Sequence, residues 1–219
     1  LVERRNGGCI MVALLCYHKN LTKLYPKKWI DDYRSSILLQ TVQDFFILEM
    51  NYGGGSERIF SNSIFQSEEM PTFVHALNDL LDICAGSECD AVFNSNVDDI
   101  YMRDWMQVQM PYMKDGYDVV GSNFSLKYEK PIIKPPKYHY FDKLNIKKEL
   151  DKDHNVMGHP GISYSKSFIK ENRYVPEEQP YEDMKLWQRT IDKYNFKIVP
   201  EHLFIHRIHD NAVCRSDNK

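Results

Sequence analysis

Asp98 and Asp99 stand side by side at the end of the stretch Asp90–Asp99, which opens with the short apolar run Ala91-Val92-Phe93. Neighbouring carboxylates repel each other and lose hydration when partly enclosed, so they need a cation or a shared proton. Hard oxygen ligands of this kind suit Mg2+ or Mn2+, which typically keep water and bind a substrate's phosphates. A plainer reading is that either aspartate caps a helix over residues 101–114. A second acidic pair, Glu182-Asp183, opens an amphipathic stretch further along. There the plain reading is complementarity to a helix dipole.

An apolar run this short between turn formers reads as a buried strand. In an open α/β sheet the working groups lie beyond the carboxyl ends of such strands. The flanking elements fit that scheme. Residues 9–17 read as a first buried strand, 29–39 as a helix with one apolar face, and 45–50 as a second strand ending in the loop Asn51-Tyr52-Gly53-Gly54-Gly55-Ser56. Residues 70–83 form a second expected helix, and this strand–helix repetition argues for a parallel sheet with right-handed crossovers.

Beyond the acidic pair the pattern is less regular. Residues 101–113 read as a helix carrying Met102, Met106, Met110 and Met113, with flexible core filling as the default. Residues 117–123 read as a strand, and 125–156 as loops with an inserted ribbon or helix. His159-Pro160-Gly161 is an expected turn and 162–164 a short strand. Residues 181–194 read as a helix and 196–199 as a last strand. No repeat, low-complexity tract or linker is visible, so the expectation is a single domain over 1–219.

Composition narrows the function classes. Of the 219 residues, 42% are hydrophobic, which is enough to bury a sizeable core. The net charge is −3 with both signs interspersed, and the short basic loop Lys134-Pro135-Pro136-Lys137 does not change that balance. Nucleic acid is therefore not an expected partner. Five cysteines, odd in number and without a Cys-x-x-Cys pair, argue against a disulfide framework or a zinc site and for a reducing, cytoplasmic location. The longest apolar stretch, 9–17, is far short of the roughly 20 residues of a membrane helix, and it lacks a signal peptide's order of parts. The opening Leu1-Val2-Glu3-Arg4-Arg5 has no initiator Met, so a fragment or a trimmed chain is expected, and fusion to further domains is left open.

Four passages then resemble one family in order. Residues 36–48 (SILLQTVQDFFIL) resemble the helix-to-strand passage of family-2-type glycosyltransferases of the GT-A fold. Ala76-Leu77-Asn78 followed by 90–99 resembles that family's A-x-N … D-x-D-D passage. Glu182-Asp183 with Leu186 and Arg189 resembles its E-D-x-x-L-x-x-R helix. Residues 195–200 with His206-Arg207-Ile208-His209 resemble its tail, commonly ending Y-R-x-H. The resemblance spans about residues 9–211. It implies a GT-A-like three-layer α/β/α sandwich with a mostly parallel central sheet. Residues of about 9–100 would form the nucleotide-sugar-binding half and 101–219 the acceptor-binding half.

The same resemblance implies a metal-dependent transferase that moves a sugar, with inversion, from a nucleotide-diphosphate-sugar to an acceptor hydroxyl. A UDP-sugar is the favoured donor, and a glycan or glycosylated protein the acceptor. Asp99, with Asp98, would hold Mn2+ or Mg2+ against the diphosphate, where charge develops on the bridging oxygen. Asp98 would also lie near the sugar or ribose. His209 falls where the family often has a metal-facing His, and an ordinary surface His is its plain reading. Asp183 would be the general base, with Glu182 as its support or an acceptor contact.

The chain departs from the pattern at Asn96, an uncharged amide where the family has an acid, and an amide is the weaker cation ligand. Asn51 stands where an acid commonly holds the nucleobase, Tyr52 beside it is a candidate base stacker, and a Gly-rich turn is the plain reading. Tyr17, His18 and Asn78 are further candidates for the nucleotide pocket. His159-Pro160-Gly161 is a candidate floor under the sugar, and Trp187 reads as core. Two other readings stay open: a non-catalytic domain binding nucleotide-sugar or glycan, and a sugar-1-phosphate nucleotidyltransferase. His18-Lys19-Asn20-Leu21-Thr22 lacks the Gly-rich basic loop that the latter needs.

Overall fold

The computed structural model describes residues 10–127 and 142–209. These build one eight-stranded sheet, in the order β3-β2-β1-β4-β7-β6-β8-β5. The strands are β1 Val12–His18, β2 Phe45–Asn51, β3 Ile64–Ser67, β4 Ala91–Asn96, β5 Ile100–Tyr101, β6 Val119–Lys127, β7 Ser163–Ser165 and β8 Phe196–Arg207. The helices are α1 Leu21–Leu24, α2 Lys27–Leu38, α3 Phe73–Gly86, α4 Trp105–Lys114, α5 Lys143–Leu150, α6 Lys166–Glu171 and α7 Glu182–Thr190. A 3-10 turn spans Pro176–Glu178.

All seven residues of β1 are buried, which is why it reads as a continuous apolar run and not as an alternation. Its two faces feed two cores. Val12, Leu14 and Cys16 pack with Tyr33 and Ile37 of α2 and with Trp105 and Met106 of α4. Ala13, Leu15 and Tyr17 pack with Val74 and Leu77 of α3, and that same core takes in α5, α6 and Trp187 of α7. The result is three layers, helices on both faces of the sheet. Trp187 is core as expected, and its Nε1–H donates to Met157 O at 3.0 Å, so the indole's one polar group is satisfied.

Strands β3, β2, β1 and β4 run parallel, and β4 then meets β7 antiparallel. From β1 the chain first moves outward to β2 and β3, then crosses back to place β4 on the other side of β1. A crevice therefore opens beyond the carboxyl ends of β1 and β4, where the winding reverses.

The second half departs from expectation at several points. Tyr101 belongs to β5, and α4 begins only at Trp105, so Met102 precedes the helix. Strand β8 continues well past Val199. Pro200 and the polar pair Glu201-His202 interrupt its apolar pattern, and its register against β6 shifts there. Pro has no N–H for the ladder, so an irregularity at that point is the expected accommodation. β3, largely exposed along an edge, carries no apolar alternation for the sequence to reveal. Lys134–Lys137, Cys9 and Cys214 lie outside the described residues. No helix among the described residues is long and apolar enough to cross a membrane.

Candidate active site

The chain leaves β4 through a tight turn in which Asp99 N–H donates to Asn96 O at 3.2 Å. This turn faces a cavity of about 260 Å3 beyond the β1 and β4 ends. Tyr17, the cross-strand partner of Asn96, lies on the same wall, and its hydroxyl donates to Asn96 Oδ1 at 2.8 Å. Asp98 also lines the cavity, and its Oδ2 lies 2.9 Å from His209 Nε2. The His209 ring meets the faces of Trp29 and Tyr25 edge-on.

Asp99 points the other way. Its side chain is fully buried and does not line the cavity. Oδ1 accepts from Arg207 N at 3.1 Å and lies 2.9 Å from His206 Nδ1, while Oδ2 has no partner. Burial pushes the Asp99 carboxyl up, and the His206 contact and the Arg207 amide pull the other way. Arg207 braces the turn as well: Nη1 donates to Asp98 O at 2.9 Å and Nη2 to Asp32 Oδ2 at 2.7 Å, with the guanidinium over Trp29. The end of β8 thus fastens the acidic turn to α2.

The same cavity is lined by Glu182 and Asp183 at the first turn of α7. Asp183 accepts from Met184 N at 2.6 Å and from Asn155 Nδ2 at 2.9 Å. Burial nevertheless pushes its carboxyl up. Glu182 Oε2 is buried without a partner. Burial and then the Asp183 charge raise the Glu182 carboxyl to about 7. In the cavity lining, Tyr17, Phe73 and His159 form an aromatic cluster with ring centres about 6 Å apart. Burial pushes the His159 imidazole down to about 3, so its ring is neutral at pH 7.

No family model and no curated protein matches the chain. Among solved structures, S. aureus TarS 1-349 superposes with a TM-score of 0.64 at 12% identity, over 91% of this chain and 60% of that one. The same fragment in complex with UDP-GlcNAc gives a TM-score of 0.66 at 11% identity, over 96% and 62%. Its complex with UDP gives 0.60 at 13% identity, over 92% and 61%. The fold is GT-A. The present chain spans about 60% of the TarS fragment that it matches.

On this GT-A frame the crevice brings together Tyr17, Tyr52, Asn96, Asp98, Glu182 and Asp183, with His159 and Pro160 of the expected floor and Gly158 before them; Gly161 does not line it. His209 adjoins them through Asp98. Four expectations need correction. Asp99, ranked first as a metal ligand, is turned away from the cavity and held by β8. Asn51 does not line the cavity: its amide donates to Gly55 O and Glu57 O, and its Oδ1 accepts Gly53 N–H, so it ties the glycine loop together. Asn78 is likewise consumed, clasping the backbone of Tyr174 through both amide atoms. His18 is buried against Glu49 at 3.0 Å, and that carboxylate also receives the amides of Ile59 and Phe60.

Sequence reasoning missed Tyr25, Phe73 and His206 as lining residues and Asn155 as the partner of Asp183. His206 alone had a signal, since it stands at the Tyr of the Y-R-x-H pattern. Among the described residues no three His, Cys, Asp or Glu side chains form a group able to hold a metal ion. Asp98 and His209 still converge as one carboxylate and one imidazole. That pair suits an ion that takes its other ligands from phosphate and water.

Proposed function

We propose that the chain is a glycosyltransferase that moves a sugar from a nucleotide-diphosphate-sugar, a UDP-sugar by preference, to an acceptor hydroxyl with inversion. The observation that carries this reading is the crevice itself. At the sheet's winding reversal, one cavity is lined both by Asp98, which meets His209, and by Asp183, buried with a raised carboxyl.

Asp98 and His209 are the residues that would hold a divalent cation. When bound, the ion would compensate the charge growing on the departing diphosphate. Asp183 would accept the proton of the acceptor hydroxyl as its oxygen bonds to the sugar's anomeric carbon. The bond from that carbon to the diphosphate breaks on the opposite face, and its electron pair leaves with the nucleoside diphosphate. Asn155 and the Met184 amide hold the Asp183 carboxylate in one orientation, so little reorganisation accompanies proton transfer. The aromatic cluster of Tyr17, Phe73 and His159 excludes water and offers apolar faces to a base or sugar.

A second reading, binding without transfer, is favoured by one feature. Asn96 replaces an acid, and its carbonyl oxygen is already committed to Tyr17. The two readings separate in one experiment. Thermal shift with UDP, GDP and their sugars, with and without Mn2+, reads binding. Release of nucleoside diphosphate reads turnover. A transferase gives both, and Asp183→Asn keeps the thermal shift while losing at least roughly a hundredfold in turnover. Turnover unchanged in Asp183→Asn would remove the base assignment, and binding without any turnover in the wild type would leave the second reading.

A further inference from the structure

Transfer with inversion fixes where the sugar must lie. Its anomeric carbon has to stand between the departing diphosphate, at Asp98, and the acceptor hydroxyl, at Asp183. The sugar ring is then beside the two carboxylates that open α7. Charge there is one-sided. The crevice lining carries Asp98, Glu182 and Asp183 and, among the described residues, no lysine or arginine. Arg207 does not line it, and its guanidinium is committed to Asp32, the Asp98 carbonyl and Trp29. Of the two lining imidazoles, His159 is neutral through burial. The other, His206, has the Asp99 carboxylate 2.9 Å from Nδ1, so the two together add no net positive charge. Glu182 is only 5% exposed, and its buried Oε2 has no partner.

We propose that the sugar moved from the nucleotide is uncharged, and that Glu182 and Asp183 exclude donors whose sugar carries a carboxylate. The proposal rests on reading the crevice as a nucleotide-sugar site and adds the class of sugar. A hydroxyl can donate to Glu182 or Asp183, whereas a uronate oxygen only accepts. A uronate would also bring a third carboxylate to this pair with no cation to offset it, and like charges in a partly dry site resist that strongly. A divalent ion at Asp98 and His209 would be engaged by the diphosphate. A neutral sugar meets no such repulsion, and the ring faces of Tyr17, Phe73 and His159 offer it apolar surface.

The test uses donors that differ only at C6 of the sugar. UDP-glucose and UDP-glucuronate, with GDP-mannose and GDP-mannuronate as a second pair, are titrated calorimetrically with Mn2+ present. The buffer is held at about pH 8, where Glu182, raised to about 7 by burial and the Asp183 charge, is ionised. The proteins are wild type, Glu182→Gln and Asp183→Asn, and UDP and GDP serve as ligands without a sugar. The expected result is that wild type binds the uronate roughly tenfold or more weakly than the neutral sugar. Each substitution narrows that gap about threefold or more, while affinity for the bare diphosphate stays within about twofold. A wild type that does not prefer the neutral member of either pair would overturn the proposal. So would a gap that neither substitution narrows, because the exclusion would then lie elsewhere. Wild type that binds none of the four donors and neither diphosphate would refute the nucleotide-sugar reading first, and this proposal with it.

Discussion

Replacing Glu182 by Gln reads the electrostatics of the crevice directly as stability. Burial, reinforced by the Asp183 charge, raises the Glu182 carboxyl from 4.5 to about 7. Each unit of pKa is worth about 1.4 kcal/mol of preference between protonation states. Below about pH 4.5 the group holds its proton whether the chain is folded or not, and it costs the fold nothing. As the pH rises from there, the unfolded carboxyl ionises freely while the folded one resists. Folded stability is therefore lost up to about pH 7, and the penalty levels off near 3 kcal/mol. Glu182→Gln keeps the shape and removes the charge, and Oε2 has no partner to lose. The variant should match wild type at about pH 4 and exceed its stability by about 3 kcal/mol at about pH 8. Urea melts of both proteins at closely spaced pH values give the difference curve. A difference that is flat with pH, or that falls between about pH 4.5 and 7, would refute the claim that this carboxylate is held in an environment hostile to its charge.

Two further substitutions test the scaffold. Gly161 has φ +74°, and a Cβ there would stand 2.6 Å from the Phe204 ring, so Gly161→Ala should cost about 2–4 kcal/mol in a denaturant melt. Its carbonyl accepts from Trp105 and Gln109, so a loss near zero would mean that this turn is not held as described. Arg207→Met removes the brace between the acidic turn and α2 and should cost about 2 kcal/mol while weakening Mn2+-dependent nucleotide binding. Stability lost with metal-dependent binding intact would show that the brace does not position Asp98.

Much of the fold was legible because its signals are local. The apolar runs of β1, β2 and β4 and the helical spacing in α2 and α3 follow from burial on one or both faces, which the residue types record. β8 was only half legible, since Pro200-Glu201-His202 breaks the apolar pattern while the backbone continues through it. The crevice was legible in part for a related reason. Tyr17 and Asn96 end neighbouring parallel strands, and Glu182-Asp183 begins a helix, so their positions follow from where the elements stop.

The sequence by itself determined the layered α/β architecture, the acidic turn after β4 and the acidic start of α7. Only the tertiary structure decided which carboxylate of the Asp98-Asp99 pair faces the cavity. Adjacent residues in a tight turn point to different sides, and the choice is made by hydrogen bonds from His206 and Arg207, 107 and 108 positions away. The same holds for Asn51 and Asn78. Their amides suit a ligand as well as a backbone clasp, and only the folded chain shows that Gly53, Gly55 and Tyr174 have already taken them. Residue type sets what a side chain is able to bind, and the contacts made across the sequence set whether it is still available to do so.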